Sequence, residues 1–427
     1  MLKHFHGATY IERVHHLILN ENSPQDSKQQ CATDAVSYLQ DIGFTKSPYW
    51  DILVSTSGMH NVKECEEQAV GEALAIQKAI AHKYTEAIST LEALNVSPLK
   101  YYEYLEKIVR LLVLAKNYKG LEELDYRLNA LPANYDSMRP EEIQALRRLK
   151  LIICSSFYLR GGYFSCCKSF FKLLDSDADV LRILSEEQPD PFITNGEVIL
   201  MITISTILAI PFDNYDDFLH LQHLEEHKQI FSRLIDCLKL LINTSFGRFL
   251  DLWNEEFDKQ CKQSMFLSQR WSSAKYMMRC KIYFFYLRIS NKVEISYLSR
   301  TLHIEVELIE REIEHLIKSA HLNFELNGDL VTYSPKHYLQ DVAPRLKKNQ
   351  ELLEKKLEVR RLRNQQLKDV VQEMIVKNNE QRVEKDSTTN ESLIYHASRY
   401  RSSTDNMDLD EINDISDPES GTFEIGN

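Results

Sequence analysis

From about residue 64 to about residue 320 the chain keeps one rhythm, with apolar residues three, four and seven positions apart and few residues that interrupt it. That periodicity belongs to a helix buried along one face. Three stretches repeat a local form: HKYTEAISTLEAL around Tyr84, KNYKGLEELDYRL around Tyr118 and GGYFSCCKSFFKL around Tyr163. In each, an aromatic follows a break and a helical apolar stripe follows the aromatic. Composition agrees. The chain of 427 residues has 12 glycines and 11 prolines, against roughly 30 and 21 at average usage. That scarcity excludes a turn-dense all-β protein and argues against enzymes built on glycine-rich phosphate loops. Chain length alone predicts two or three structural units.

Tyr84 and Tyr118 are 34 residues apart and Tyr118 and Tyr163 are 45 apart. The first interval is the period of a tetratricopeptide-like helix-turn-helix repeat, and the second makes the repeat irregular. GRFLDLWNEEF, from Gly247, reads as a fourth copy. Such units cannot bury their apolar faces alone, so the expected fold is mainly α, a right-handed superhelix over residues 61–260 whose product is surface for protein partners. The competing reading is a non-repetitive helical domain in which an aromatic follows each loop by chance. Residues 1–60 form a variable segment with no element assigned; they hold a polar stretch at 21–31 and a turn-rich one at 47–58. The apolar run Val198–Ile210 has 13 residues, short of the roughly 20 that span a bilayer, and reads as a buried core helix. The N-terminus lacks the pattern of a secretory signal. Eight cysteines without CxxC spacing fit free thiols in the cytoplasm or nucleus.

After residue 275 the signals change. KYMMRCKIYFFYLRI (275–289), VEISYLSRTL (293–302) and EVELIEREIEHLIKSA (305–320) read as three helices. The sequence then turns at Asn327-Gly328 between alternating apolar residues, a hairpin signal that would pair Leu326 with Asp329, Phe324 with Val331 and Leu322 with Tyr333. Three helices and a hairpin, over 261–337, have the order of a winged helix. A long helix is predicted from Asp341 to about Lys377, within a segment 338–378. Its apolar stripe runs through Val342, Leu346, Leu353, Leu357, Leu367, Val371 and Met374, interrupted by Asn349, Arg360 and Asn364. The remainder, 379–427, reads as a disordered acidic tail. Residues 380–427 hold 12 acidic and four basic side chains, so −8 of the formal −12 charge lies there and the rest of the chain is nearly balanced.

Few constellations offer chemistry. His223-Leu-Glu-Glu-His227 matches the inverted zincin pattern, with Glu226 as base, but a polar helix face explains it equally well and no third ligand announces itself. His4-Phe-His6 has the first two ligands of a JAMM metalloprotease signature, which needs Ser eight residues on, where Val14 stands; a flexible N-terminus explains it. No GxSxG, Walker-type or GxGxxG string occurs. Cys166-Cys167 beside Phe164, Phe170 and Phe171 reads as buried thiols. The expectation is no catalytic residue, no metal and no cofactor. The third winged-helix helix carries Glu305, Glu307, Glu310, Glu312 and Glu314 against Arg311 and Lys318, which opposes DNA binding. From 345 to 377 the long helix has ten Lys/Arg and five Asp/Glu, which keeps RNA contact open.

The stretch from Lys281 to Tyr333 resembles the PCI domain shared by the proteasome lid, the COP-nine signalosome and the translation initiation factor three complex. The matching positions are Leu298, Leu302, Ile304, Ile309, Glu312, Leu316, Ile317, Leu322 and Phe324. GEVILMITISTILAI and GRFLDLWNEEF resemble the corresponding helices of signalosome and lid subunits. The resemblance implies a non-catalytic scaffold within a signalosome-like complex that removes a Nedd-type modifier from cullins, working in cytoplasm and nucleus beside other PCI subunits and a JAMM subunit. It implies indirect contact with cullin and no membrane. In the family, winged helices associate side by side, which here would use Leu322, Phe324, Leu326, Val331 and Tyr333. The C-terminal helices gather in a bundle, which would use Leu346, Leu353, Leu357, Leu367, Val371 and Met374. The alternative is a scaffold of the initiation factor three complex or proteasome lid that contacts RNA through Lys355, Lys356, Arg360 and Arg361.

Overall fold

A computed structural model of the chain describes residues 2, 4–59, 62–67, 69–94, 96–130, 138–186, 190–334 and 338–385. The first 60 residues, left without elements above, form three helices: α1 (Gly7–Leu19), α2 (Gln25–Asp41) and α3 (Trp50–Ser57). The polar stretch is the loop after α1 and the first two turns of α2. Further along, Ala32, Ala35, Val36 and Leu39 make a fully buried stripe at helical spacing. The flexible reading of His4-Phe-His6 is corrected too. Phe5 is buried in a core shared by the first five helices, with the Arg13 guanidinium 4.3 Å above its ring.

The repeats follow as helix pairs: α4 (Glu72–Ile80) with α5 (Tyr84–Glu92), α6 (Tyr101–Leu114) with α7 (Tyr118–Ala130), and α8 (Pro140–Leu159) with α9 (Tyr163–Ser176). Each tyrosine singled out in the sequence is the first residue of the second helix. After α10 (Val180–Ser185), α11 (Asn195–Ala209), α12 (Tyr215–Leu219) and α13 (Gln222–Glu226) comes a fourth pair, α14 (Ser232–Ile242) with α15 (Phe246–Leu252). The four turns share one geometry. Two residues before each aromatic the backbone is left-handed, at His82 (φ 60°), Lys116 (55°), Gly161 (89°) and Thr244 (52°). The next N–H then reaches the carbonyl five residues back: Lys83 to Lys78, Asn117 to Leu112, Gly162 to Phe157 and Ser245 to Leu240, at 2.8–2.9 Å. This is the Schellman closure of a helix C-terminus, a position usually given to glycine. Three of the four turns use another residue, which is part of why a chain with so many helix ends needs so few glycines.

From α15 the helix runs through a π-helical turn, Trp253–Phe257, into α16 (Asp258–Gln263), and then α17 (Met265–Ile289) begins. One apolar core extends from Leu105 to Val331. At its centre α11 is buried almost throughout, as the sequence predicts. The Lys281 ammonium caps the C-terminal end of α11, donating to the carbonyls of Ile207 (2.6 Å) and Ile210 and to the Tyr215 hydroxyl. Among the described residues no single helix is long and apolar enough to cross a membrane.

The winged helix follows as β1 (Lys292–Glu294), α18 (Ile295–Leu302), α19 (Val306–Ser319), β2 (Phe324–Asn327) and β3 (Leu330–Tyr333), with sheet order β1-β3-β2. Two expectations are corrected. VEISYLSRTL opens as a strand, because Val293 is drawn into the sheet opposite Val331. The hairpin pairs Asn327 with Leu330, Leu326 with Val331 and Phe324 with Tyr333, so its turn is Gly328-Asp329 and not Asn327-Gly328. Gly328 has φ 63° and Asp329 stays at negative φ, which fits a turn with glycine at its first central position. The slip is by two residues, so the side chains keep their faces.

Met1–Pro335 forms one compact unit and Lys336–Asn427 a second. The described part of the second unit is α20 (Tyr338–Lys385), with Pro344 inside it. It begins earlier and ends later than predicted, so residues 380–385, assigned above to a disordered tail, are helical. Glu-Gln-Arg-Val-Glu-Lys is a run of mostly good helix formers, and its polarity was mistaken for disorder. The tail from 386, with its serines, and the side chains of Val342 and Met374 lie outside the described residues.

Candidate partner-binding surfaces

The winged helix is fixed to the helical body by a buried ion pair. Arg279 on α17 forks onto Glu312 on α19 at 2.6–3.1 Å, and the Tyr283 hydroxyl donates to the same carboxylate at 3.0 Å. Glu312 is therefore internal. The exposed charge of α19 reduces to Glu305, Glu307, Glu310 and Glu314 against Arg311 and Lys318, with Lys318 paired to Glu314. The surface that a DNA-binding winged helix would present to phosphate remains acidic.

In the hairpin, Val331 is fully buried and Leu322, Phe324 and Leu326 pack half-buried against the core. Tyr333 is exposed, with its ring edge-on to Phe324 at 5.5 Å. Four of the five hairpin side chains thus hold the wing to the body. What β2 offers outward is backbone: it is an outer strand of the sheet, and one side of its ladder has no strand beside it among the described residues.

On α20 the arrangement is the reverse. Leu346, Leu353, Leu357, Leu367 and Val371 are each more than half exposed. They lie seven, four, ten and four residues apart, intervals that fall on one heptad register, and an exposed apolar row of that kind is what a helix shows when a partner helix completes its core.

The chemical candidates resolve locally. α13 ends at Glu226, so His227 lies beyond it and the two histidines do not share a helical face; the His223 imidazole pairs with Asp175 at 3.2 Å. Among the described residues no three His, Cys, Asp or Glu side chains gather as a metal site. All eight cysteines are free, and Cys166 is fully buried, which pushes its thiol up to about 12.

Sequence reading missed how the N-terminal helices are anchored. Arg13 on α1 bonds both carboxylate oxygens of Glu197 on α11, at 2.9 and 2.6 Å, and the Phe192 carbonyl at 2.9 Å; the Ser264 hydroxyl donates to the same carboxylate. Burial alone would raise the Glu197 carboxyl, but the Arg13 guanidinium and these hydrogen bonds hold it below the usual carboxylate range. A signal existed: Thr194-Asn-Gly-Glu197 before an apolar run is a capping box, which forms here. Its arginine partner, 184 residues away, carries no such sign. Glu12 makes a second anchor, accepting from Tyr84 (2.9 Å) and Tyr49 (3.1 Å) and pairing with His82 in the first repeat turn.

Comparison with known proteins finds one family along most of the chain. Residues 1–275 match the family described as the CSN11 N-terminal domain and residues 292–424 the CSN11 C-terminal domain. The chain is 37% identical to Cop9 signalosome complex subunit 11 of Saccharomyces cerevisiae, over 98% of this chain and 100% of the relative. It is 28% identical to COP9 signalosome complex subunit 11 of Candida glabrata, over 97% of each. The subunit 11 of Kluyveromyces lactis is 32% identical over 70% of this chain and 76% of the relative.

Proposed function

Because the chain belongs to the COP9 signalosome subunit 11 family, we propose that it is a non-catalytic scaffold of a signalosome-like complex that supports removal of a Nedd-type modifier from cullins. The observation that carries this reading is α20, whose row of exposed leucines is a helix face lacking its other half. The outer strand β2 supports it as a second attachment point, since an open ladder can pair with a neighbouring winged helix. Its partners would be other PCI subunits and a JAMM subunit that supplies hydrolysis, with cullin held indirectly, in cytoplasm and nucleus. The role of this chain is geometric: it holds neighbours in register and offers no reacting group.

The test is purification of the tagged chain from its own cells with identification of co-purifying proteins, together with the ratio of modified to unmodified cullin in cells lacking it. JAMM-type and cullin partners and accumulated modified cullin are expected. A normal cullin pattern, or recovery of initiation-factor or lid subunits alone, would remove the signalosome role.

A further inference from the structure

The apolar face of α20 has a charge frame that specifies its occupant, an inference that rests on the scaffold reading above. Stepping by four and three from Leu346 gives Gln350, Leu353, Leu357, Arg360, Asn364, Leu367 and Val371, a coiled-coil register in which five of eight positions are apolar. The positions that flank this seam between 347 and 368 include Lys347, Lys356, Arg361, Arg363 and Lys368 but only one acid, Glu354. All six are exposed. The helix is basic overall, yet its remaining acids, among them Glu351, Glu358 and Asp369, lie on the far side. Positive charge is thus gathered along both edges of the leucine row, with Arg360 inside it.

We propose that α20 takes a helix with an apolar seam flanked by Glu and Asp, with a carboxylate opposite Arg360 and a polar residue opposite Asn364. Self-pairing is disfavoured by the same frame. A parallel copy would set Lys356 against Arg361 and Arg363 against Lys368, and an antiparallel copy also meets like charge at its edges. RNA fits less well, because the leucine row separates the two basic edges and would face phosphate and solvent. The buried seam supplies attraction and the flanking pairs choose the partner, as edge charges do in helix pairing.

The test uses the full-length chain and two synthetic heptad peptides with leucine cores, one with Glu and one with Lys at the flanking positions. In fluorescence anisotropy the Glu peptide is expected to bind about tenfold tighter or more, with the preference fading as salt rises. The variant K356E/R361E/R363E/K368E should invert the preference. Equal binding of both peptides, tighter binding of a single-stranded RNA than of the Glu peptide, or self-association of the chain abolished by Leu357→Asp would overturn the proposal. Incorporation into the native complex separates the two claims. If L353D/L357D prevents incorporation while the charge-reversed variant enters normally, the charge frame fails and the scaffold reading stands. If neither change prevents incorporation, α20 is not the attachment point and the charge frame fails, while the scaffold reading is decided by the co-purification and cullin tests above.

Discussion

At the scale of single residues, the stability of this fold rests on a few buried ions and on strained turn positions that local sequence does not advertise. Thr244 is β-branched, exposed and left-handed, a conformation costing roughly 1–2 kcal/mol for a residue with a Cβ. Thr244→Gly should stabilise the chain by about 0.5–1 kcal/mol after the entropy glycine adds to the unfolded chain, read as a higher midpoint in urea with unchanged slope. Arg13→Met should do the opposite. It strands the Glu197 carboxylate, buried at 7% exposure, at a cost of roughly 3–5 kcal/mol. The carboxyls of Glu197, Glu12 and Asp258 are all held low; for Asp258, hydrogen bonds from Lys262, Lys275 and Trp271 outweigh burial and bring it to about 2. A carboxyl lowered on folding contributes stability above its unfolded pKa and loses it as pH falls through the folded value. The chain should therefore weaken from about pH 4 down towards pH 2, and Glu197→Gln should flatten part of that acid limb in a melting series. The Asp258–Lys262 pair sits at local helical spacing and Glu197 is marked by its capping box, but nothing near position 13 or 197 points to the pairing of the two across 184 residues.

At the scale of elements, the turns explain why the repeat could be recognised and where its fourth copy begins. The sequence places the start of the fourth copy at Gly247, whereas its second helix begins one residue earlier, at Phe246, after the left-handed Thr244. Gly247 lies inside α15, where an added Cβ would meet the Thr301 carbonyl oxygen of α18 at 2.4 Å. It is the point at which repeat and winged helix touch backbone to backbone. Gly247→Ala should cost about 3 kcal/mol through this overpacking, seen as a lower melting midpoint, while Gly196→Ala, with open space around it, should be neutral or mildly stabilising. The hairpin gives a parallel lesson. Alternation placed Phe324, Leu326, Val331 and Tyr333 on one face, but the turn was misplaced by a residue because both Asn-Gly and Gly-Asp suit tight hairpins and local sequence does not select between them.

At the scale of the whole molecule, both apolar cores draw on residues no later than Val331, and α20 belongs to a separate unit. Ending the chain after Pro335 should leave the main calorimetric transition within a few degrees of the intact chain while abolishing entry into the complex, which separates what folds the protein from what employs it. A large fall in that transition would show that the long helix is needed for folding. The sequence by itself determined the helical class, the paired repeats, the helices and hairpin of the winged helix though not its first strand, and the leucine row of α20, because each is written in spacings of a few residues that local geometry reads directly. Only the tertiary structure decided that the first 60 residues are three helices pinned to α11, that Glu312 is an internal ion and not surface charge, and that most of the wing's apolar side chains face inward. Those outcomes depend on partners far away in sequence, where burial and charge compensation are settled by packing and not by periodicity.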